Sequence, residues 1–405
     1  MTQRLYFDDA RLARFMARVT GAREENGTAW LSLDRSAFYP EGGGQPGDTG
    51  TLRAGGAAWD VADVQADAAG EVWHLVRGGP LPAPGTEVAG VVDWERRLDH
   101  MQQHTGEHIL ANCVWRLLGG FTHGLHIGHE VSSIDVTLPD GRTSLSRGEL
   151  DALEEMAAAR VAGDAEVDCR FLEGEELAAA ALRKEPTVTQ NVRVCRIGDF
   201  EAVACGGTHL ARASQVGQVV VLHAQPARGK TRLFFLCGKR AEAHGRMCRR
   251  ALAEAGALLS ARADEVPGRV RALLEASAQA AREVSALRRE RALERVPALY
   301  MAGMPMPGGR LVAARLSEAE APYLQDVAGA LAAVPGVLAL LCAPQGEKEL
   351  CLFARSPDRG EDVRALLHAA GAVGGGRPDF ARGAAEGPGA LERAAQAARG
   401  EAPGR

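Results

Sequence analysis

The stretch Arg96-Arg97-Leu98-Asp99-His100-Met101-Gln102-Gln103-His104-Thr105-Gly106-Glu107-His108-Ile109-Leu110 marks a change of period in the chain. Apolar side chains continue beyond it at Val114, Leu117 and Leu118 with helical spacing, and Gly119-Gly120 supplies a stop. Ahead of it, residues 15–19, 28–33, 58–61, 71–76 and 87–92 are short runs rich in β-branched or aromatic side chains, bounded by Gly, Pro, Asn or Asp. Such runs predict a small antiparallel barrel over residues 1–95. Behind it, strand-like runs at 131–138, 166–171, 192–197, 217–223 and 232–237 and a helix at 146–161 predict one sheet in an α+β domain over 96–240.

The rest of the chain reads as two further parts. Residues 241–296 are helical with a break at Asp264 and Pro267; Val270, Leu273, Ala280, Val284 and Leu287 then fall at a/d spacing, as expected of a hairpin arm or a dimerising helix pair. From Pro297 the pattern alternates, with strands at 310–315, 337–342 and 350–355 and helices at 317–334, 361–370 and from 389, predicting a small α/β domain over 297–405. The fold class expected is therefore α+β and multidomain: N-terminal small antiparallel β-barrel, α+β domain, helical hairpin linker, C-terminal small α/β domain.

His104 and His108 lie four positions apart on the first helix and so share a face. About a hundred residues on, Cys205-Gly206-Gly207-Thr208-His209 repeats the spacing with a thiol and an imidazole, and its two glycines remove bulk between the donors. Three imidazoles and a thiolate suit Zn²⁺ and not Mg²⁺ or Ca²⁺, which take oxygen shells. The expected ligands are His104, His108, Cys205 and His209. Four such donors could close a purely structural site, whereas a catalytic one would need a ligand to yield or the shell to expand. His104-Thr105-Gly106-Glu107-His108 also spells H-x-x-E-H, a metallopeptidase pattern with Glu107 handling water. Cys205 and His209 oppose that reading, since such a peptidase takes a carboxylate as third ligand. Glu107 remains a candidate general base.

Composition bounds the rest. A chain of 405 residues, 46% hydrophobic and 24% charged, has material for several packed cores. No apolar run is long enough to span a membrane, the start lacks the apolar core of a signal peptide, and the eight cysteines lack framework spacing, so a cytoplasmic protein with reduced thiols is expected. The net charge of −5 makes no global attraction for nucleic acid. Locally, eight basic residues against the single acid Glu242 fall between Arg228 and Arg250, and Arg228, Lys230 and Arg232 are candidates for phosphate contact. Between two barrel strands, Gly42-Gly43-Gly44-Gln45 offers close backbone approach and a side chain that both donates and accepts.

Taken in order, Phe38-Tyr39-Pro40-Glu41-Gly42-Gly43-Gly44-Gln45-Pro46-Gly47-Asp48, the His104/His108 pair, Ile197-Gly198-Asp199-Phe200, Cys205-Gly206-Gly207-Thr208-His209 and Gly374-Gly375-Gly376-Arg377-Pro378-Asp379 resemble the editing half of alanyl-tRNA synthetase. With no aminoacylation domain expected ahead of them, the chain is similar to the freestanding AlaX editing proteins in the long form that keeps a C-terminal DHH-associated domain. The resemblance implies hydrolysis of the ester joining serine, and by extension glycine, to the 3′ end of tRNA(Ala), with Zn²⁺ as cofactor. It also implies a C-terminal domain that contacts tRNA or pairs subunits into a homodimer. A pocket that hydrogen-bonds a serine hydroxyl penalises alanine, and Gln45, Thr122 and His126 are unranked candidates for that contact. Two departures stand out. After Gly383 the chain continues Ala384-Ala385-Glu386-Gly387 where the family has further glycines, and the position of Glu107 varies in the family. A zinc-stabilised tRNA-binding accessory protein without chemistry is the alternative.

Overall fold

The structure, a computed structural model, describes residues 1–401 apart from Asn26, 187–189 and Glu318. It divides into two compact units, Met1–Ala253 and Glu254–Arg405.

The first unit opens with β1 (Gln3–Arg4), paired in parallel with β4 (Arg35–Ser36). Six strands close a barrel in the order β2-β3-β7-β6-β5-β8: β2 (Arg14–Glu25), β3 (Thr28–Leu33), β5 (Gly50–Ala54), β6 (Ala57–Ala66), β7 (Val72–Gly78) and β8 (Glu87–Val92). All five expected runs are present, and β5 is the strand the sequence concealed. Inward-facing Val19, Leu31, Leu33, Leu52, Val61, Val64 and Val76 pack in the interior together with Phe38.

Helix α1 (Trp94–Leu118) leaves the barrel directly. Asp93 caps it by accepting from the Arg96 amide, and Gly119, left-handed at φ 63°, ends it. Its residues 100–114 are almost all buried, because sheet, barrel loop and the next helix cover it on different sides. Helix α2 (Arg147–Ala162) begins on a capping box between Ser146 and Glu149. Around these helices lie two separate sheets where one was expected. One has the order β14-β15-β10-β9, from β9 (Phe121–Ile127), β10 (Ser132–Thr137), β14 (Val219–Ala227) and β15 (Lys230–Cys237); the other is β11-β12-β13, from β11 (Val167–Leu172), β12 (Val192–Ile197) and β13 (Glu201–Ala204), with the short α3 (Gly174–Ala178) following β11. A shared apolar core of Ile109, Leu110, Val114, Ile134, Leu153, Ile197, Leu233 and Phe235 holds both sheets against α1.

A buried ion pair fixes α1 to the barrel. Arg97 donates through Nε to Asp48 Oδ1 and Oδ2 at 3.1 and 3.0 Å and through its terminal nitrogens to the carbonyls of Ala10 and Ala37 at 2.7 and 2.6 Å. Asp48 also accepts from the Tyr39 amide at 2.6 Å, so the glycine-rich loop between these two residues is clamped at both ends. Because every polar atom named here is paired, the pair's desolvation penalty is offset and its geometry is specified.

Helix α4 (Gly238–Leu259) carries the chain onward. In the second unit, α5 (Val266–Ala302) runs straight through Pro297, where the sequence predicted an end. Val296, Leu299 and Tyr300 pack into the unit's core, and that burial outweighs the hydrogen bond that proline removes. Val270, Leu273, Val284 and Leu287 stay 40 to 63% exposed within the unit. The sheet has the order β16-β17-β18-β19-β21-β20, from β16 (Met304–Met306), β17 (Gly309–Arg315), β18 (Val337–Gln345), β19 (Lys348–Arg355), β20 (Ala372–Arg377) and β21 (Phe380–Glu386). Helix α6 (Ala321–Ala332) covers one face, and α7 (Val363–Ala369) with α8 (Ala390–Ala398) the other. Burial on both faces explains why β18 reads Val337-Leu338-Ala339-Leu340-Leu341-Cys342-Ala343 without alternation. The Gly374-Gly375-Gly376 run forms the edge strand β20, hydrogen-bonded to β21. Among the described residues there are eight α-helices in all, a mixed α+β, multidomain chain.

Candidate metal and substrate site

Helix α1 presents His104 and His108, and the loop after β13 presents Cys205 and His209. Their four donor atoms all lie within 4.8 Å of one another. Cys205 Sγ is 3.3 Å from His104 Nε2 and 3.3 Å from His209 Nε2. Of the two loop glycines, only Gly207 is sterically required: a Cβ there would stand 2.1 Å from His104 Cε1, whereas one on Gly206 would meet nothing within 4 Å.

The surroundings orient these donors. Gln45, fully buried, places Oε1 2.8 Å from His104 Nδ1 and accepts from the Thr208 amide at 3.2 Å, while its Nε2 donates to Thr208 Oγ1 at 2.8 Å. An amide oxygen can only accept, so Nδ1 of His104 carries the proton and Nε2 is left as a donor toward the cluster. Thr105 Oγ1 lies 3.3 Å from His209 Nδ1 and accepts from the Leu210 amide, so the second ring is held in place from α1. Arg193 donates to the carbonyls of Cys205 and Gly207 at 3.0 and 2.8 Å and so holds the loop's shape.

Burial sets the charge states. It lowers His104 to about 3 and His108 and His209 well below the ordinary range, so all three rings are neutral, as ligation requires. The same burial pushes the Cys205 thiol up to about 12, opposed by the Gly207 amide and Arg193. His108 Nδ1 is buried without a hydrogen-bond partner among the described residues. Three neutral imidazoles and a buried thiol make a donor set that a Zn²⁺ ion fits: its positive charge would stabilise the thiolate that burial disfavours.

The cluster opens on a cavity of about 450 Å³, a small-molecule size, with His104, Glu107, His108 and Cys205 in its walls. Gly42 and Gly43 of the barrel loop line it, as do Thr122, His123 and Leu125 of β9. Gly44, at φ +84°, sits so close to β9 that a Cβ would fall 1.9 Å from the Leu125 carbonyl oxygen; the loop is thereby pinned as a wall. Glu107 faces the cavity with its carboxyl raised to about 7, chiefly by burial, with Arg183 opposing and Glu201 adding.

Other expected site residues stand elsewhere. Gln45 lies behind the cavity wall, against His104 and Thr208. His126 is exposed on β9 and is not in the walls. Arg228, Lys230 and Arg232 occupy the β14–β15 hairpin outside the cavity, Arg232 being paired with Asp135 at 2.6 Å. Lys230 comes near enough to His123 to add, after burial, to the lowering of its pKa.

Sequence reasoning missed Arg4, Arg183, Lys184 and Arg193. The first three line the cavity. Arg183 is almost fully buried: Nε donates to both Glu201 oxygens at 2.9 and 3.0 Å, and a terminal nitrogen donates to Thr122 Oγ1 at 3.2 Å. Asn112 of α1 donates to the same carboxylate and to the Phe200 carbonyl. These residues belong to no motif, and only their convergence marks them.

The barrel and the Cys-Gly-Gly-Thr-His loop both fall in segments that are similar to tRNA synthetases. Residues 10–96 match the family model of class II (A) tRNA synthetases, and residues 192–250 match that of the second additional domain of threonyl and alanyl tRNA synthetases. Alanyl-tRNA editing protein AlaX-L of Pyrococcus horikoshii is 32% identical over 245 residues, covering 60% of this chain and 59% of that protein. Alanine–tRNA ligase of Pyrobaculum aerophilum is 32% identical over 403 residues (94% of this chain, 42% of the ligase), and that of Pyrococcus abyssi 33% over 295 residues (71% and 32%). Over most of its length the chain is thus similar to alanine–tRNA ligases and to an alanyl-tRNA editing protein. It spans between 32% and 59% of the lengths of these three relatives.

Proposed function

We propose that this chain is an aminoacyl-tRNA deacylase that removes serine, and by extension glycine, from mischarged tRNA(Ala) in trans. The observation that carries the reading is the donor cluster of His104, His108, Cys205 and His209, the first three of which line a small cavity together with a carboxyl group, Glu107. Kinship with an AlaX-L protein supports the choice of substrate. His104, His108, Cys205 and His209 would hold Zn²⁺, which when bound polarises an ester carbonyl and acidifies water.

The chain's own residues supply the rest. Glu107, held near neutrality by its burial, is suited to take a proton from water and return it to the leaving ribose oxygen. Thr122 lines the cavity and accepts from Arg183; its hydroxyl proton would then be donated to a serine side chain, a contact that alanine cannot make. Gly42 and Gly43 would bring backbone close to the substrate, and Arg4 and Lys184 would offer positive charge to the terminal nucleotide's phosphate. Arg228 and Lys230 extend that charge along the β14–β15 hairpin toward the acceptor stem, contributing affinity without sequence information.

We further propose the four-part division of the chain at about residues 95, 240 and 296, a cytoplasmic location, and a homodimer through the exposed Val270, Leu273, Val284 and Leu287 stripe of α5. The test of the central reading is incubation with Ser-tRNA(Ala) and Ala-tRNA(Ala). Release of serine much faster than alanine is expected. Equal inertness would favour the accessory, tRNA-binding alternative, and equal hydrolysis would remove the discrimination.

A further inference from the structure

The sheet β14-β15-β10-β9 buries one face and leaves the other open. Ile127, Ile134, Val136, Leu233 and Phe235 turn into the core shared with α1 and α2, so the residues alternating with them on the same strands face outward. One outward row crosses all four strands in register: His126, Ser133, Phe234, His223. The rings of Phe234 and His223 stack with centroids 4.5 Å apart and planes 19° from parallel. Phe234 is half-buried, and both histidines are exposed. An exposed antiparallel face is ordinarily polar, whereas this row is mostly rings.

The same face is positively charged and continuous with the cavity. Apart from histidine, the charged side chains of the four strands are Lys230, Arg232 and Asp135, and Arg228 lies in the β14–β15 turn. Arg232 donates to both oxygens of Asp135, its cross-strand partner, at 2.6 and 2.9 Å, which fixes the plane of its guanidinium. His123, where the register of β9 against β10 shifts, belongs to the cavity wall and has Nε2 2.7 Å from Thr137 Oγ1 of β10.

We propose that this open face is a platform for the unpaired 3′ end of an RNA: bases stack on Phe234, His126 and the Arg232 plane, Lys230 and Arg228 meet phosphates, and the last residue crosses β9 into the cavity. Unpaired bases are held by stacking on aromatic rings and guanidinium planes, and their phosphates by Lys and Arg. The assignment rests on the proposed deacylase function, which gives the last residue its destination. Binding of uncharged RNA is read without hydrolysis, so the two are separable: tail preference without serine release would keep the platform and remove the deacylase, and serine release without tail preference would do the reverse.

The test is fluorescence anisotropy of the full chain with a labelled RNA hairpin bearing a short single-stranded 3′ tail, against the same hairpin ending blunt, at one salt concentration. The tailed hairpin should bind about 5- to 100-fold more tightly, the range that stacking of one base supplies. Phe234→Leu, which keeps apolar bulk beside His223, should remove most of that preference and leave blunt binding unchanged, and Phe234→Tyr should retain it. His126→Ala, at an exposed position, should lower the preference independently of any folding defect at Phe234. Lys230→Gln should weaken both hairpins. Equal affinity for tailed and blunt hairpins, or a preference that survives both Phe234→Leu and His126→Ala, would overturn the platform. So would self-association lost in Phe234→Leu without any tail preference, which would give the face to a second copy of the chain.

Discussion

Gln45 Oε1 lies 2.8 Å from His104 Nδ1, although the residues are 59 positions apart and belong to a barrel loop and a helix. That contact fixes the tautomer of one imidazole in the donor cluster and, through Thr208, ties it to the loop that carries Cys205 and His209. The glycine-rich loop therefore serves the donor cluster from behind as well as the cavity from the front.

Gln45→Leu removes the acceptor while keeping the volume. Zinc affinity should fall about 10–100-fold, the usual effect of losing an orienting partner. Competition with a chromophoric chelator measures it, and an unchanged affinity would mean that His104 is oriented by packing alone.

Gly207→Ala and Gly206→Ala make a matched pair. The first places a methyl group 2.1 Å from His104 Cε1 and 3.1 Å from Gln45 Oε1, so the ring must move and bound metal should be lost; the second meets open space and should keep full stoichiometry. Metal content after desalting decides between them.

Arg183→Met strands the Glu201 carboxylate, whose own side chain is fully buried. A loss of about 3–5 kcal/mol is expected from breaking one partner of a buried pair. Urea unfolding checks it, and adding Glu201→Gln should restore part of the loss. Independent, additive effects of the two changes would contradict the pairing.

His74 gives the barrel a defined acid sensitivity. Buried between the Leu31 carbonyl and Ser36 Oγ, at 3.0 and 2.8 Å, it is lowered from 6.5 to about 4, chiefly by burial. Below pH 6.5 the unfolded chain binds a proton that the folded chain refuses until about pH 4, so stability falls as pH drops through that window, by roughly 3 kcal/mol from this group. Below about pH 4 its contribution is constant. His74→Gln should flatten this part of the stability curve, and an unchanged slope between pH 6.5 and 4 would exclude His74 as its source.

The readability of the fold follows from where local signals dominate. Asp93 and Gly119 bound α1 by capping chemistry, so both ends were legible. Strand β5, Gly-Thr-Leu-Arg-Ala, has one β-branched residue and owes its existence to its neighbours β6 and β8. Pro297 was misleading because tertiary burial overrode a local preference. Likewise, the spacing of His104, His108, Cys205 and His209 announced a donor set that the fold brings together. No pattern linked Arg183 to Glu201 and Thr122, since that relation is made by three separate elements meeting.

The most direct measurement is serine release from Ser-tRNA(Ala) by the wild-type chain and by the His104→Ala/Cys205→Ala double variant, with zinc counted in each preparation. The wild type should carry zinc and release serine well ahead of alanine, and the folded double variant should lack both metal and activity. A double variant that still holds stoichiometric zinc, or still deacylates at the wild-type rate, would contradict the account.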